Sequence, residues 1–393
     1  MIKIKMLNTS KGRNEALFDS LANVNANLYH EYGIHLLWHG KENWDSEHTK
    51  KTMNEFIDSS SYDYLLIGMD DFVDKNKSIE ESTDWGLENL EKITEGGDYI
   101  LWDGFDSTSL FGTYDVFEKS NAIFLLKNQL LKMRQDYNQP YICGKQFFGK
   151  SETKGKSYDI PKNKWDKIKL SGLNIGYSWM ARQHIWANKG TGRELPGIYD
   201  DKINRFFKPS TDKNIDVSAV YLADIGKGYE HNVRNDLLYM NHRKKVWDII
   251  KNTKHNYFVS DAIPYNHYLQ KIYDSKVFVS PYGQGEICFR DFELLQLGTI
   301  MIKPDMSHLN TSPNIYEDGK TYISCKYDWS DLEEKIDYVL SNYNVLFPEM
   351  LLSMRKKFMN EYGTHNVCQS IYDILKEIPS TQEEKVWTRG EYK

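Results

Sequence analysis

The segment at 279–305, VSPYGQGEICFRDFELLQLGTIMIKPD, sets two glycines, an arginine and two glutamates close together. Gly283 and Gly285 follow an apolar run and precede an amphipathic one. Backbone without side chains lets a ligand approach closely, and N–H groups at the start of a helix attract an anion. A diphosphate suits such a place. With the helix drawn over 286–297, Glu286, Arg290 and Glu293 stand four and three residues apart, near one face. Arg290 can hold phosphate charge, and Glu293 can accept the two hydroxyls of a ribose, as acidic residues do in dinucleotide sites. Glu286 falls in the same group as a ligand contact. Gly298 ends the helix as a C-cap. The same spacings also suit ordinary helix ion pairs, and the glycines a tight turn.

Such a unit needs a sheet to position it. The first half alternates β-like runs (2–7, 34–39, 62–68, 98–104) with amphipathic stretches at 14–32 and 78–93. The spacing predicts its strongest helix over 115–137, a loop over 144–157 and a further strand over 170–179. The second half restarts the pattern. Strands are expected at 217–223, 256–260, 276–281, 298–304 and 322–326, and helices at 235–253, 265–275, 286–297, 331–343 and 347–363. The polar stretch KPSTDKNID (208–216) separates a first domain, 1–212, from a second, 213–370. Residues 371–393 read as a helix and tail that crosses back to the first domain, or as a loose charged end. The fold class is α/β: two Rossmann-like domains with parallel sheets facing a central cleft.

Other groups lie just after strands, where open α/β sheets bind ligands. Lys227, between Gly226 and Gly228, and Arg234 and Arg243 on the following helix can meet a diphosphate; a solvated basic helix face is the alternative. His39 follows a first-half strand and can touch a ligand there, or serve as a structural histidine. The paired aspartates of GMDDFVD (68–74) invite a divalent cation, but a capped turn accounts for them, and the expectation is no metal.

The stretch SPYGQGEICFRDFELLQLGTIMIKPDMSHL resembles the donor-binding segment of GT-B glycosyltransferases in its family-1-type and exostosin-like forms. The correspondence runs through Ser280–Pro281, Gly283, Gly285, Arg290, Glu293, Gly298 and Pro304. It implies a nucleotide-sugar donor held by the second domain, a carbohydrate or glycoconjugate acceptor facing the first, and no cofactor beyond the donor. It also implies that Ile263 or Pro264 borders the base. A transfer that inverts the anomeric centre needs a general base, and Asp106 and Asp103 stand in the loop after a first-half strand. Helix capping is their alternative role. One departure concerns Glu286. Retaining members space their paired glutamates by one residue more than Glu286 and Glu293, which leaves the stereochemistry open. Two rivals share this architecture: a nucleotide-sugar epimerase or hydrolase, and a silent nucleotide- or glycan-binding protein.

The 393 residues carry a formal charge of −6, so nothing global favours a nucleic-acid backbone. No run approaches a membrane span, and the first residues lack an apolar signal core. The four cysteines, Cys143, Cys288, Cys325 and Cys368, lack metal-site spacing. A cytoplasmic protein with free thiols is the expectation.

Overall fold

The computed structural model describes residues 2–7, 25–38, 62–69, 77–94, 97–104, 107–139, 157–171, 209–210, 212–223, 233–261, 263–283, 285–362 and 364–378. Two parallel sheets organise them. The first contains β1 (Ile2–Leu7), β2 (Ile34–Trp38), β3 (Tyr64–Gly68), β4 (Tyr99–Trp102), β5 (Leu125–Lys127) and β7 (Ile168–Leu170), in the order β2-β1-β3-β4-β5-β7. The second contains β8 (Ile215–Val220), β9 (Tyr257–Ser260), β10 (Ser275–Val279), β11 (Ile300–Pro304) and β13 (Ile323–Cys325), in the order β13-β11-β10-β8-β9. Numbered within itself, the second sheet has the order 2-1-3-4-5, which the first sheet shares over its first five strands and extends by a sixth. Central strands such as β3 and β11 are buried along their whole length. A sheet covered on both faces needs this, and it is why these strands read as unbroken apolar runs.

Helix α1 (Ile79–Thr94) follows β3, and α2 (Thr113–Lys119) follows β4. The short α3 (Lys162–Trp165) leads into β7. In the second half come α4 (Val233–Lys251), α5 (Tyr265–Tyr273), α6 (Phe289–Leu297), α7 (Leu332–Ser341) and α8 (Tyr343–Tyr362). The last described helix is α9 (Thr364–Leu375).

The helix expected over 115–137 does not exist as such. It stops at Lys119, and the chain becomes β5, then β6 (Gln129–Leu131), then a single 3-10 turn at Arg134–Asn138. Ser120 is extended at the C-cap (ψ 165°), and its side chain bonds the Phe117 carbonyl. The run from Ala122 to Leu131 is buried almost throughout, so its apolar residues do not mark one helical face. A strand lies at Ile168–Leu170; the strand expected over 170–179 falls outside the described residues after Ser171, as does the loop over 144–157 apart from its last residue.

Strand β6 has a partner from the other half. It pairs antiparallel with β12 (Leu309–Thr311), Thr311 opposite Gln129. Two further backbone bonds extend the seam, Ser312 N–H to the Asn128 carbonyl (2.7 Å) and Lys132 N–H to the His308 carbonyl (2.8 Å). Helix α9 makes a second link. The Tyr32 hydroxyl donates to Gln369 Oε1 (3.1 Å), while Ile371 and Leu375 share a small gap with Ile4, Met6 and Leu36 of the first sheet. Among the described residues no helix is long and apolar enough to cross a membrane.

Candidate ligand site at the switch point of the second sheet

In a doubly wound sheet the chain leaves neighbouring strands toward opposite faces at one point, and the crevice beyond their carboxyl ends binds ligands. In the second sheet that point lies between β8 and β10. A cavity of about 440 Å³ opens there. Its walls come from Tyr221 just after β8, Arg243 of α4, Tyr265 and Tyr268 of α5, the glycines Gly283 and Gly285, and the start of the following helix with Arg290 and Glu293.

The turn is built for close approach. A Cβ placed on Gly283 would lie 3.2 Å from Cys288 Sγ and 3.4 Å from Arg243 Nη2, so a side chain there would press on the thiol and crowd the guanidinium. Helix α6 begins at Phe289, after the turn, and ends on Gly298 in the left-handed region (φ 66°). A side chain there would strain the backbone and press Leu351.

Two guanidinium groups line the cavity, and each donates to neutral groups around it. Arg290 donates from Nε to Ser280 Oγ (2.8 Å) and from Nη2 to the Pro281 carbonyl (2.6 Å). Arg243 donates to the carbonyls of Leu222 (3.1 Å) and Tyr282 (3.4 Å). Both stand over the Tyr221 ring, at 5.1 and 5.8 Å from its centroid. Behind Arg290, Ser280 Oγ donates to Asp291 (2.6 Å), which also accepts from the Tyr316 hydroxyl (2.6 Å) and the Cys288 N–H (3.0 Å). Lys303 Nζ lies 3.0 Å from Asp291, close enough for a buried ion pair though not aligned as a hydrogen bond. Arg290 is therefore mounted on a fixed internal frame.

Glu293 takes different partners. Its Oε1 accepts from the Tyr265 hydroxyl (2.9 Å) and its Oε2 from the Tyr268 hydroxyl (2.7 Å). Among the described residues Arg290 makes no ion pair with Glu286 or Glu293. The helix ion pairs that the spacing allowed are not formed, and both charges stay on the cavity wall.

Glu286 is a correction. It lies in the turn, before α6 begins, so it does not share a face with Arg290. It is fully buried, off the cavity wall, and accepts from Thr108 of the first half through both the N–H (3.1 Å) and Oγ1 (2.7 Å). Asp103 is a second correction. It is fully buried against Lys127 Nζ (2.6 Å) and accepts from Thr113 Oγ1 (2.6 Å), so it has no path to an acceptor hydroxyl. Ile263 joins the cavity wall, whereas Pro264 is the exposed residue before α5. His39, Asp106 and Lys227 lie outside the described residues, as does the side chain of Arg234, on the first turn of α4.

Tyr221, Tyr265, Tyr268 and Cys288 were not singled out from the sequence. The usable signal was PYNHY, which sets Tyr265 and Tyr268 three apart on one helix face beside Ile263. The Tyr221 hydroxyl is buried with no hydrogen-bond partner, and burial holds its phenol well above the usual range against the pull of the two arginines. Tyr221→Phe is expected to leave the melting temperature of the free protein unchanged or slightly higher, since it removes an unsatisfied group and keeps the ring. A clear fall in a thermal scan would show that the hydroxyl stabilises the fold.

No family model and no curated protein matches the sequence. Solved structures align over nearly the whole chain at low similarity. One is UDP-GlcNAc 2-epimerase from Neisseria meningitidis bound to UDP-GlcNAc: 15% identity, TM-score 0.45, covering 96% of this chain and 100% of that one. Another is Anabaena Alr3699/HepE in complex with UDP and glucose: 9% identity, TM-score 0.46, with 96% and 100% covered. A third is a glycosyltransferase from Rickettsia africae: 12% identity, TM-score 0.42, with 97% and 99% covered. The fold class rests on the strand order of the two sheets.

Proposed function

We propose that this protein is a GT-B-type glycosyltransferase, which takes a sugar from a nucleotide-diphosphate donor bound at the switch-point cavity and passes it to an acceptor on the first half. One observation carries the reading. The cavity brings Arg243 and Arg290 beside Glu293, with Arg290 donating to Ser280 and the Pro281 carbonyl and making no ion pair with Glu293 among the described residues. The guanidinium pair suits a diphosphate, and the carboxylate suits the vicinal hydroxyls of a ribose. Charge supplied by two arginines also stabilises a departing nucleoside diphosphate, so the reading uses no metal. For an inverting transfer the proton acceptor would be Asp106, which precedes the seam residue Thr108 by two positions.

Calorimetric titration with a panel of nucleoside diphosphates and their sugars, in chelator, tests the donor site. Glu293→Ala and Arg290→Ala are each expected to weaken binding by more than about tenfold, the loss of a hydrogen bond to a charged group. Unchanged affinity in both folded variants would sink the donor assignment. Product analysis with and without acceptor then separates the activities. Free or epimerised sugar regardless of acceptor marks the epimerase or hydrolase, and binding without turnover marks a silent binder.

A further inference from the structure

Glu293 sits one helical turn after Arg290, yet it turns away from that guanidinium and toward two phenols. Tyr265 and Tyr268 come from one face of α5 and reach one carboxylate oxygen each. The terminal torsion of a glutamate is soft and broad. A single phenol would leave the carboxylate free to swing about its bond, whereas two phenols, one per oxygen, fix its plane. Each carboxylate oxygen can accept more than one hydrogen bond, so the tyrosines do not exhaust it. Burial and the nearby carboxylate keep the Tyr268 phenol protonated, so it remains the donor. All three side chains line the same cavity.

We propose that Tyr265 and Tyr268 are positioning residues that set Glu293 to select ribose, so that the site rejects 2′-deoxyribonucleotides. The inference rests on the nucleotide-donor reading and adds its sugar specificity. A vicinal diol needs both carboxylate oxygens in a fixed plane. A ligand without the 2′-hydroxyl covers the carboxylate yet gives one of its oxygens no second donor in place of water, which costs affinity. The alternative is that Glu293 only satisfies two buried phenols.

Calorimetry of the wild type, Tyr268→Phe and Tyr265→Phe separates the two. The ligands are uridine and guanosine diphosphates, their 2′-deoxy counterparts and inorganic pyrophosphate. The wild type is expected to prefer the ribo forms by about tenfold or more, and each phenylalanine variant to reduce that ratio to about threefold or less. Pyrophosphate affinity should stay the same in all three. A ribo-to-deoxy ratio unchanged in both variants overturns the proposal, as does pyrophosphate affinity falling in parallel. A wild type that binds nucleoside diphosphates without preference overturns it while leaving the donor reading intact. A wild type that binds none of the nucleotides removes the donor reading itself, and this inference with it. Tyr265→Phe carries the same test should Tyr268→Phe fail to fold.

Discussion

Lys127→Met is expected to destabilise the protein by about 3–5 kcal/mol, because it strands a buried carboxylate. Lys127 and Asp103 meet at 2.6 Å with both side chains fully enclosed. Lys127 also donates to the Ser109 carbonyl (2.9 Å), and Asp103 accepts from Thr113. The pair thereby ties the ends of β4 and β5 to the loop that carries Thr108 and to the first turn of α2. A buried ion pair need not stabilise a fold relative to apolar residues of similar size, but removing one partner is costly. Asp103→Leu combined with Lys127→Met should therefore recover much of the loss of the single variant, though Thr113 and Ser109 would still lack partners. Urea denaturation of the two single variants and the double variant measures this directly. A Lys127→Met protein as stable as the wild type would mean that the Asp103 carboxylate escapes burial, and would reopen Asp103 as a group able to reach substrate.

That pair shows where the sequence was legible and where it was not. An aspartate after a strand has the same letters around it whether it faces a cleft or a lysine two strands' worth of chain away. Alternation of short apolar runs with amphipathic stretches is local, and it located β1 to β4 and most of the second half within a few residues. The stretch at 115–137 failed because strands buried on both faces lose the period that distinguishes them from a buried helix. Half of what fixes it, the pairing of β6 with β12, lies across the chain and leaves no local trace. The glycine turn was legible because glycines, Arg290 and Glu293 each have a distinct chemistry. Their partners were not, since Tyr265, Tyr268 and Tyr221 read equally well as core aromatics. Glu286 was misplaced by helix phase alone: with α6 starting at Phe289, its side chain is free to point the other way.

Glu286→Ala is expected to cost stability of the same order as the Lys127 change, about 3–5 kcal/mol, from two hydrogen bonds to a buried charge. Thr108 would be left with a buried N–H and hydroxyl that have lost their acceptor. Glu286→Gln should fall between, since an amide offers one acceptor where Thr108 presents two donors. Because Glu286 directly follows Gly285, loosening it also frees the turn that lines the cavity, so nucleoside diphosphate affinity should fall although Glu286 itself is off the cavity wall. Thr108→Val, on the opposite half, is then expected to reproduce a good part of both effects, and the two substitutions together should cost clearly less than their sum. Melting temperature and calorimetric affinity across that four-protein cycle decide between a strut and a ligand contact. If Thr108→Val binds nucleoside diphosphate as the wild type does while Glu286→Ala does not, Glu286 must reach the ligand directly, and the paired-glutamate arrangement of the retaining enzymes returns as the better description of this turn.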